Sequence, residues 1–332
     1  MAGRTIDGDT FLNRRLYNDA LLVIHNGLTV HESYRNGMND TDHHVIHSCT
    51  KSLLSMVLAI AIEEGMLDPA NEVTDYIEEF RSVDAWRGVT LQHAWDMQAG
   101  ISFSEDYDDP EADYWRYARA AGYYPTLEGE EGIGVEAWVL ANLTTRDHLP
   151  GTVFAYNSSL TIVLGIILER AYGMGLAEIL ETKLYGRVGP ESDGLLNTDA
   201  QGFPIVEGQL SLTLRDFARV AQLMVNDGRS RSGDQIVPSG FFAELLAADP
   251  SGTSAYHRKH RDEVFPSGLY KNHFWIVEPE QQQIAMLGIH GQFAWCDLTK
   301  DLLIVGLGSY PKQDSDLMMS VLKALWNRVS EA

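Results

Sequence analysis

The apolar positions divide the chain into segments of different kinds. Residues 20–35, ALLVIHNGLTVHESYR, read as a hairpin: a strand from Leu21 to Ile24, a two-residue Asn26-Gly27 turn, and a return strand from Leu28 to Tyr34. Residues 48–64 read as a helix that is apolar on most faces from Leu53 to Ile62, the pattern of a helix enclosed in a core; Gly65 ends it and Pro69 follows. From about 66 to 190, short helical patterns mix with loops. Within that region, residues 102–124 scatter seven aromatic side chains among many acids without clear period. Such a stretch reads as a packed surface loop, or as a substrate wall if it lies at a cleft. From 213, TLRDFARVAQLMVNDG is an amphipathic helix closed by Gly228. Residues 272–278, 283–288, 292–297 and 302–308 read as strands, and a helix near 313–328 ends the chain. Strands at both ends with helices between them predict an α/β layer built from both termini around an inserted helical region.

The 332 residues suffice for one large domain or two modest ones, and 45% hydrophobic with 22% charged residues is ordinary globular composition. The net charge changes the picture more. At -22 it argues against a nucleic-acid partner, which would need clustered lysine and arginine, and against anionic membrane surfaces. Two cysteines, Cys49 and Cys296, cannot build a disulfide framework. The N-terminus carries no apolar leader segment, and the longest apolar run is too short to span a bilayer, so the expected location is cytoplasmic.

Ser48-Cys49-Thr50-Lys51 is an S-x-x-K pattern at the start of the apolar helix. Three residues turn a helix through about 300° and rise about 4.5 Å, which puts the hydroxyl and the amine on one face. A serine hydroxyl is a weak nucleophile until a base takes its proton, and a lysine is a base only when neutral. The positive potential of a helix start and the apolar run behind Lys51 both favour the neutral amine. The pattern recurs at Ser309–Lys312 and Ser320–Lys323, but Pro311 disfavours a helix in the first and the second lies inside the terminal helix. The bland alternative for Ser48 is an N-cap serine followed by a solvated lysine.

Three stretches set that pattern in a wider frame. HSCTKSLLSMVLAIAIEEGMLDP resembles the nucleophile helix of class C β-lactamases and related esterases. LPGTVFAYNSSLTIVLGIILERAYG resembles the second motif of that family, with Tyr156 as its tyrosine; Tyr156-Asn157-Ser158 replaces the common Y-x-N and is similar to the 6-aminohexanoate-dimer hydrolase branch. GIHGQFAW resembles the third motif, with His290-Gly291-Gln292 standing for K-T-G. FSEDYDDPEAD resembles a loop of the oligomer hydrolases whose tyrosine contacts substrate, here Tyr107.

The resemblance implies a β-lactamase/transpeptidase-like α/β (α+β) fold. An antiparallel sheet of five or more strands would come from residues 1–45 and 205–332, with helices on both faces, and a mainly helical region from 46–204. It implies acyl transfer with Ser48 as nucleophile, Lys51 as base and Tyr156 as proton donor to the leaving group. The second oxyanion amide would be that of Phe293, or of Gln292 in a register shifted by one. The implied substrate is a small ester or linear amide bound near Tyr107 and His290; β-lactamase, D-amino-acid peptidase and catalytically dead binding protein are the alternatives. No cofactor is implied.

Other chemistries find less footing. His43, His44 and His47, and the pair His257 and His260, are histidine clusters without an H-E-x-x-H pattern. No G-x-S-x-G elbow, Walker A loop or G-x-G-x-x-G loop occurs.

Overall fold

Seven antiparallel strands form the central sheet of the computed structural model, which describes residues 6–128, 132–247, 250–259, 263–313 and 315–331. His260 lies outside the described residues. β1 (Asn18–His25) and β2 (Leu28–Tyr34) form the expected hairpin, and Asn26 and Gly27 both take positive φ, 50° and 72°, as a tight turn matching strand twist requires. Two short segments, β3 (His44–Val45) and β4 (Leu195–Leu196), flank β5 (Leu210–Leu212) in a small second sheet. The remaining strands are β6 (Leu269–Lys271), β7 (Phe274–Glu278), β8 (Gln283–Gly288), β9 (Gln292–Asp297) and β10 (Leu302–Gly308). The order is β2-β1-β10-β9-β8-β7-β6, so β1 pairs with the last strand, Leu22 opposite Val305.

The strand expected over 272–278 begins two residues late. Asn272 and His273 take φ of 48° and 58° and make the turn between β6 and β7, a role their residue types tolerate but do not announce as strongly as Asn-Gly does.

Period-two alternation gives the sheet two apolar faces. On one, Leu22, Ile24, Ile284, Met286, Cys296 and Val305 pack toward the helices Cys49–Glu63 and Leu214–Val225. On the other, Leu21, Val23, Phe293, Trp295 and Ile304 meet the C-terminal helix Asp316–Ser330, where Trp295 and Trp326 stack with centroids 4.7 Å apart. Helix Cys49–Glu63 is buried from Cys49 to Ala61 because the helix Ser158–Tyr172, itself apolar from Leu160 to Leu168, covers its far side.

The aromatic, acidic stretch at 102–124 is not wholly loop. Its second half is the helix Asp113–Ala121, which turns Tyr114 and Tyr117 inward and ends at Gly122, φ 86°. No single helix among the described residues is long and apolar enough to cross a membrane.

Candidate active site

The small second sheet carries the chain into the site. Ile46 donates its N–H to the Leu210 carbonyl, His47 takes a left-handed φ of 45°, and Ser48 then opens helix Cys49–Glu63. Ser48 occupies the N-cap position, yet its hydroxyl caps nothing. It accepts a hydrogen bond from Lys51 Nζ at 3.0 Å instead. Lys51 also donates to the Glu207 carbonyl, and at 1% exposure it is no solvated lysine.

Burial holds the Lys51 ammonium below the ordinary lysine range, against the opposing pull of the Glu105 and Glu207 carboxyls. Tyr156 lies beside both groups: its ring centroid is 5.3 Å from Lys51 Nζ, and its phenol hydrogen-bonds with Ser48. Burial, with Glu105 adding to it, pushes that phenol well above the usual tyrosine range, while the bond to Ser48 works the other way. Burial thus disfavours both the ammonium of Lys51 and the phenolate of Tyr156, the two groups that meet on one serine hydroxyl. The other two S-x-x-K matches have different partners: Lys312 pairs with Asp108 at 2.9 Å, and Lys323 donates to Glu278 and to the Val264 carbonyl.

Ser48, Tyr107 and Tyr156 line one cavity of about 460 Å³ together with Glu105, Trp275, Gly288 and Ile289. Trp275 stacks on Tyr156, rings 17° from parallel. Gly288 sits so close to the strand leading into Ser48 that a Cβ there would stand 2.6 Å from the Ile46 carbonyl oxygen.

Tyr107 thus lies at the cavity wall, and its phenol donates to Glu105 Oε1 at 2.7 Å. The sequence marks Glu105 only as one acid within a surface loop or substrate wall, with no contact of its own. Instead it fastens the loop to the site, accepting from the Ser158 N–H and the Ser158 hydroxyl, both at 2.6 Å. Glu207 also escaped the sequence reading. It is buried and accepts from Tyr123 at 2.9 Å, and burial raises its carboxyl above the usual range although Lys51 opposes this. One isolated acid between Val206 and Gly208 carries no pattern; its burial comes from the helix Asp113–Ala121 and the Tyr123 turn folding over it.

Phe293 and Gln292 are not at the cavity. Phe293 sits in the middle of the sheet, paired with Leu287 on one side and Gly306 on the other. Its ring packs over Gly306 on the face of the C-terminal helix. Gln292 is buried and uses its amide on the Gly308 backbone, accepting at 3.0 Å and donating at 2.6 Å. The residues of GIHGQFAW that line the cavity are Gly288 and Ile289. His290 stands just beyond them with φ 62°, its Nδ1 2.7 Å from the Tyr310 carbonyl and its ring 5.5 Å from that of His47. It does not line the cavity.

A second, shallower hollow of about 330 Å³ lies across Tyr107, between Asp108, Trp115, Arg119, Tyr124 and Leu127.

Comparison with known proteins agrees with this architecture. Residues 9–319 match the protein family described as Beta-lactamase. A 6-aminohexanoate-dimer hydrolase of Paenarthrobacter ureafaciens is 33% identical over 316 residues, 92% of this chain and 78% of that protein. Among solved structures, a Bacillus anthracis protein provisionally assigned as a 6-aminohexanoate-dimer hydrolase superposes with a TM-score of 0.87 at 24% identity, covering 100% of this chain and 83% of that one. A family VIII carboxylesterase superposes with a TM-score of 0.68 at 14% identity, covering 96% of this chain and 94% of that one.

Proposed function

The chain belongs to the beta-lactamase family of hydrolases, and from that premise we propose that it is a serine hydrolase which cleaves small esters or linear amides through an acyl-enzyme on Ser48. The observation that carries this reading is the 3.0 Å approach of a buried lysine amine to a serine hydroxyl that caps no helix.

In the first step Ser48 Oγ attacks the carbonyl carbon and its proton passes to neutral Lys51. The carbonyl oxygen becomes an oxyanion. Its donors are the Ser48 N–H and, from the lining of the cavity, the Ile289 N–H at the end of β8. Tyr156 gives its phenol proton to the leaving nitrogen or oxygen as the C–N or C–O bond breaks, and recovers a proton from Lys51. Water then attacks the acyl carbon and loses a proton to Lys51; the bond between that carbon and Ser48 Oγ breaks, and Lys51 returns the proton to Oγ as the acid is released.

A linear amide such as that named for the Paenarthrobacter relative falls within this class. A β-lactam fits it less well, because no lysine, arginine or histidine lines the cavity among the described residues to receive the drug's carboxylate.

Intact-mass analysis after treatment with a serine-reactive fluorophosphonate tests the assignment. One adduct is expected, mapping to Ser48 and absent in Ser48→Ala, whose ester hydrolysis should also be lost. An adduct on Ser309 or Ser320, or a fully active Ser48→Ala, would overturn it.

A further inference from the structure

The cavity continues well beyond the groups that do chemistry. From Ser48 and Tyr156 it passes Phe154, Trp275 and Leu269, crosses the edge of β7 and β8 at Ile276, Val277 and Leu287, and ends against Phe265, Met318 and Met319 at the start of the C-terminal helix. It thus links the apolar face packed on the nucleophile helix with the opposite face of the sheet. β6 is only three residues long, and its Leu269 is the last residue to pair with β7, at Ile276. Past that point the edge of β7 is left open at Val277, which is what lets the cavity turn round the sheet.

Its charge is as informative as its shape. Among the described residues, the charged side chains lining it are two carboxylates. Glu105 already accepts from Ser158 and Tyr107, and Asp316 is exposed at the far rim. An anionic group on a substrate would meet carboxylates and hydrocarbon there, at a desolvation penalty with no compensating cation. An alkyl chain would meet a wall that is mostly apolar.

The shallower hollow across Tyr107 is different. Asp108, Pro110, Tyr124 and Leu127 on its walls are exposed. A group bound there stays close to solvent, as suits the part of the substrate that leaves first.

Resting on the serine-hydrolase reading above, we infer that this cavity is an acyl site for an alkyl chain of medium length that carries no negative charge, with Met318 and Met319 as its far wall, and that the leaving group lies on the Tyr107–Trp115 side. Methionine suits such a wall, being flexible and polarisable enough to close around chains that differ by a carbon or two.

The test is a series of p-nitrophenyl esters from acetate to dodecanoate, kept below their aggregation limits. Each methylene that enters the cavity should raise kcat/KM by up to about fourfold, the equivalent of about 0.8 kcal/mol. The rise should run from acetate to about octanoate and then stop. The adipate half-ester, which carries a carboxylate at the end of a six-carbon chain, should fall at least tenfold below the hexanoate. Met319→Trp should lower the octanoate-to-acetate ratio, and the milder Met319→Phe should lower it less, so that a poorly folding tryptophan variant does not decide the matter. Alkyl acetates of increasing alcohol length, followed by pH-stat, should show little dependence on length.

A flat acyl series in an enzyme that still hydrolyses the acetate through Ser48 would overturn the inference and leave the serine-hydrolase reading standing. So would a length dependence carried by the alcohol, or an adipate half-ester hydrolysed as fast as the hexanoate. No hydrolysis of any ester, with no label on Ser48, would remove the reading on which the inference rests.

Discussion

Lys51 Nζ bonds at once to Ser48 Oγ, one helical turn back, and to the main-chain carbonyl of Glu207, 156 residues on. The first contact is local and follows from helix geometry. The second holds the amine by a neutral acceptor, so the lysine is fixed in place without a salt bridge that would keep it protonated.

That arrangement predicts a pH profile. Lys51 acts only when neutral, and burial lowers its affinity for a proton, so kcat/KM should fall on the acid side as it protonates. Glu105 opposes the burial effect by favouring the ammonium. Glu105→Gln removes that charge, and the acid limb should move to lower pH. A limb unmoved, or moved upward, would contradict the electrostatic link. Lys51→Arg, which cannot be neutral at working pH, should be inactive.

For Tyr156→Phe the ring and its stacking on Trp275 remain and only the hydroxyl goes. A kcat loss of about 10²–10⁴ is expected on amides. The loss on p-nitrophenyl esters should be much smaller, since that phenolate leaves without a proton. Equal losses on both would mean that the phenol serves Ser48 and Lys51 rather than the leaving group.

Gly288→Ala probes the end of β8. The added Cβ would meet the Ile46 carbonyl oxygen at 2.6 Å and must push β8 away from the strand that delivers Ser48. If Ile289 supplies an oxyanion donor, kcat should drop by about 10²–10³, the usual loss for one such donor, with the fluorophosphonate adduct still forming slowly on a folded protein. Wild-type kcat in a folded Gly288→Ala would argue against the Ile289 amide.

Stability should respond to acid through two buried histidines. Burial, aided by the nearby Lys51 amine, lowers His273 from 6.5 to about 3; burial and the neighbouring His290 do the same for His47. Because the folded pKa lies below the unfolded one, the unfolded chain binds the extra proton first. Stability is therefore intact above pH 6.5 and declines as pH falls from there toward about 3. His273→Asn keeps a residue that tolerates the positive φ of 58° and removes the titration. The fall of Tm with acidification should be shallower in that variant, and an unchanged slope would remove His273 from the account.

The elements that were legible in the sequence are those whose periodicity is locally complete. β8, β9 and β10 and the helices at 49 and 214 fall where the apolar pattern puts them, because each buries a face set by its own residues. Ser48, Lys51 and Tyr156 share one neighbourhood for the same reason: each lies in a motif contiguous in the chain. Glu105 and Glu207 were not legible, because what makes them functional candidates is burial imposed by distant segments. That Phe293 and Gln292 stand away from the cavity has a related cause. GIHGQFAW contains two strand ends and a left-handed His290 between them, and only the fold decides that the chain meets the cavity before that turn rather than after it.

The pairing of β1 with β10 has a consequence for how the protein comes into being. Asn18 lies opposite Gly308, so β1 must wait for a strand made 290 residues later. Until β10 arrives, β1 can pair only with β2, and its apolar residues have no sheet to join. Ser48 and Lys51 leave the ribosome early and three residues apart, but the β8 end and the Glu207 carbonyl that complete their surroundings come much later. Hydrolysis should therefore appear only once β10 has been made, and a chain stopped before residue 302 should be a client for chaperones and proteases rather than a slow enzyme.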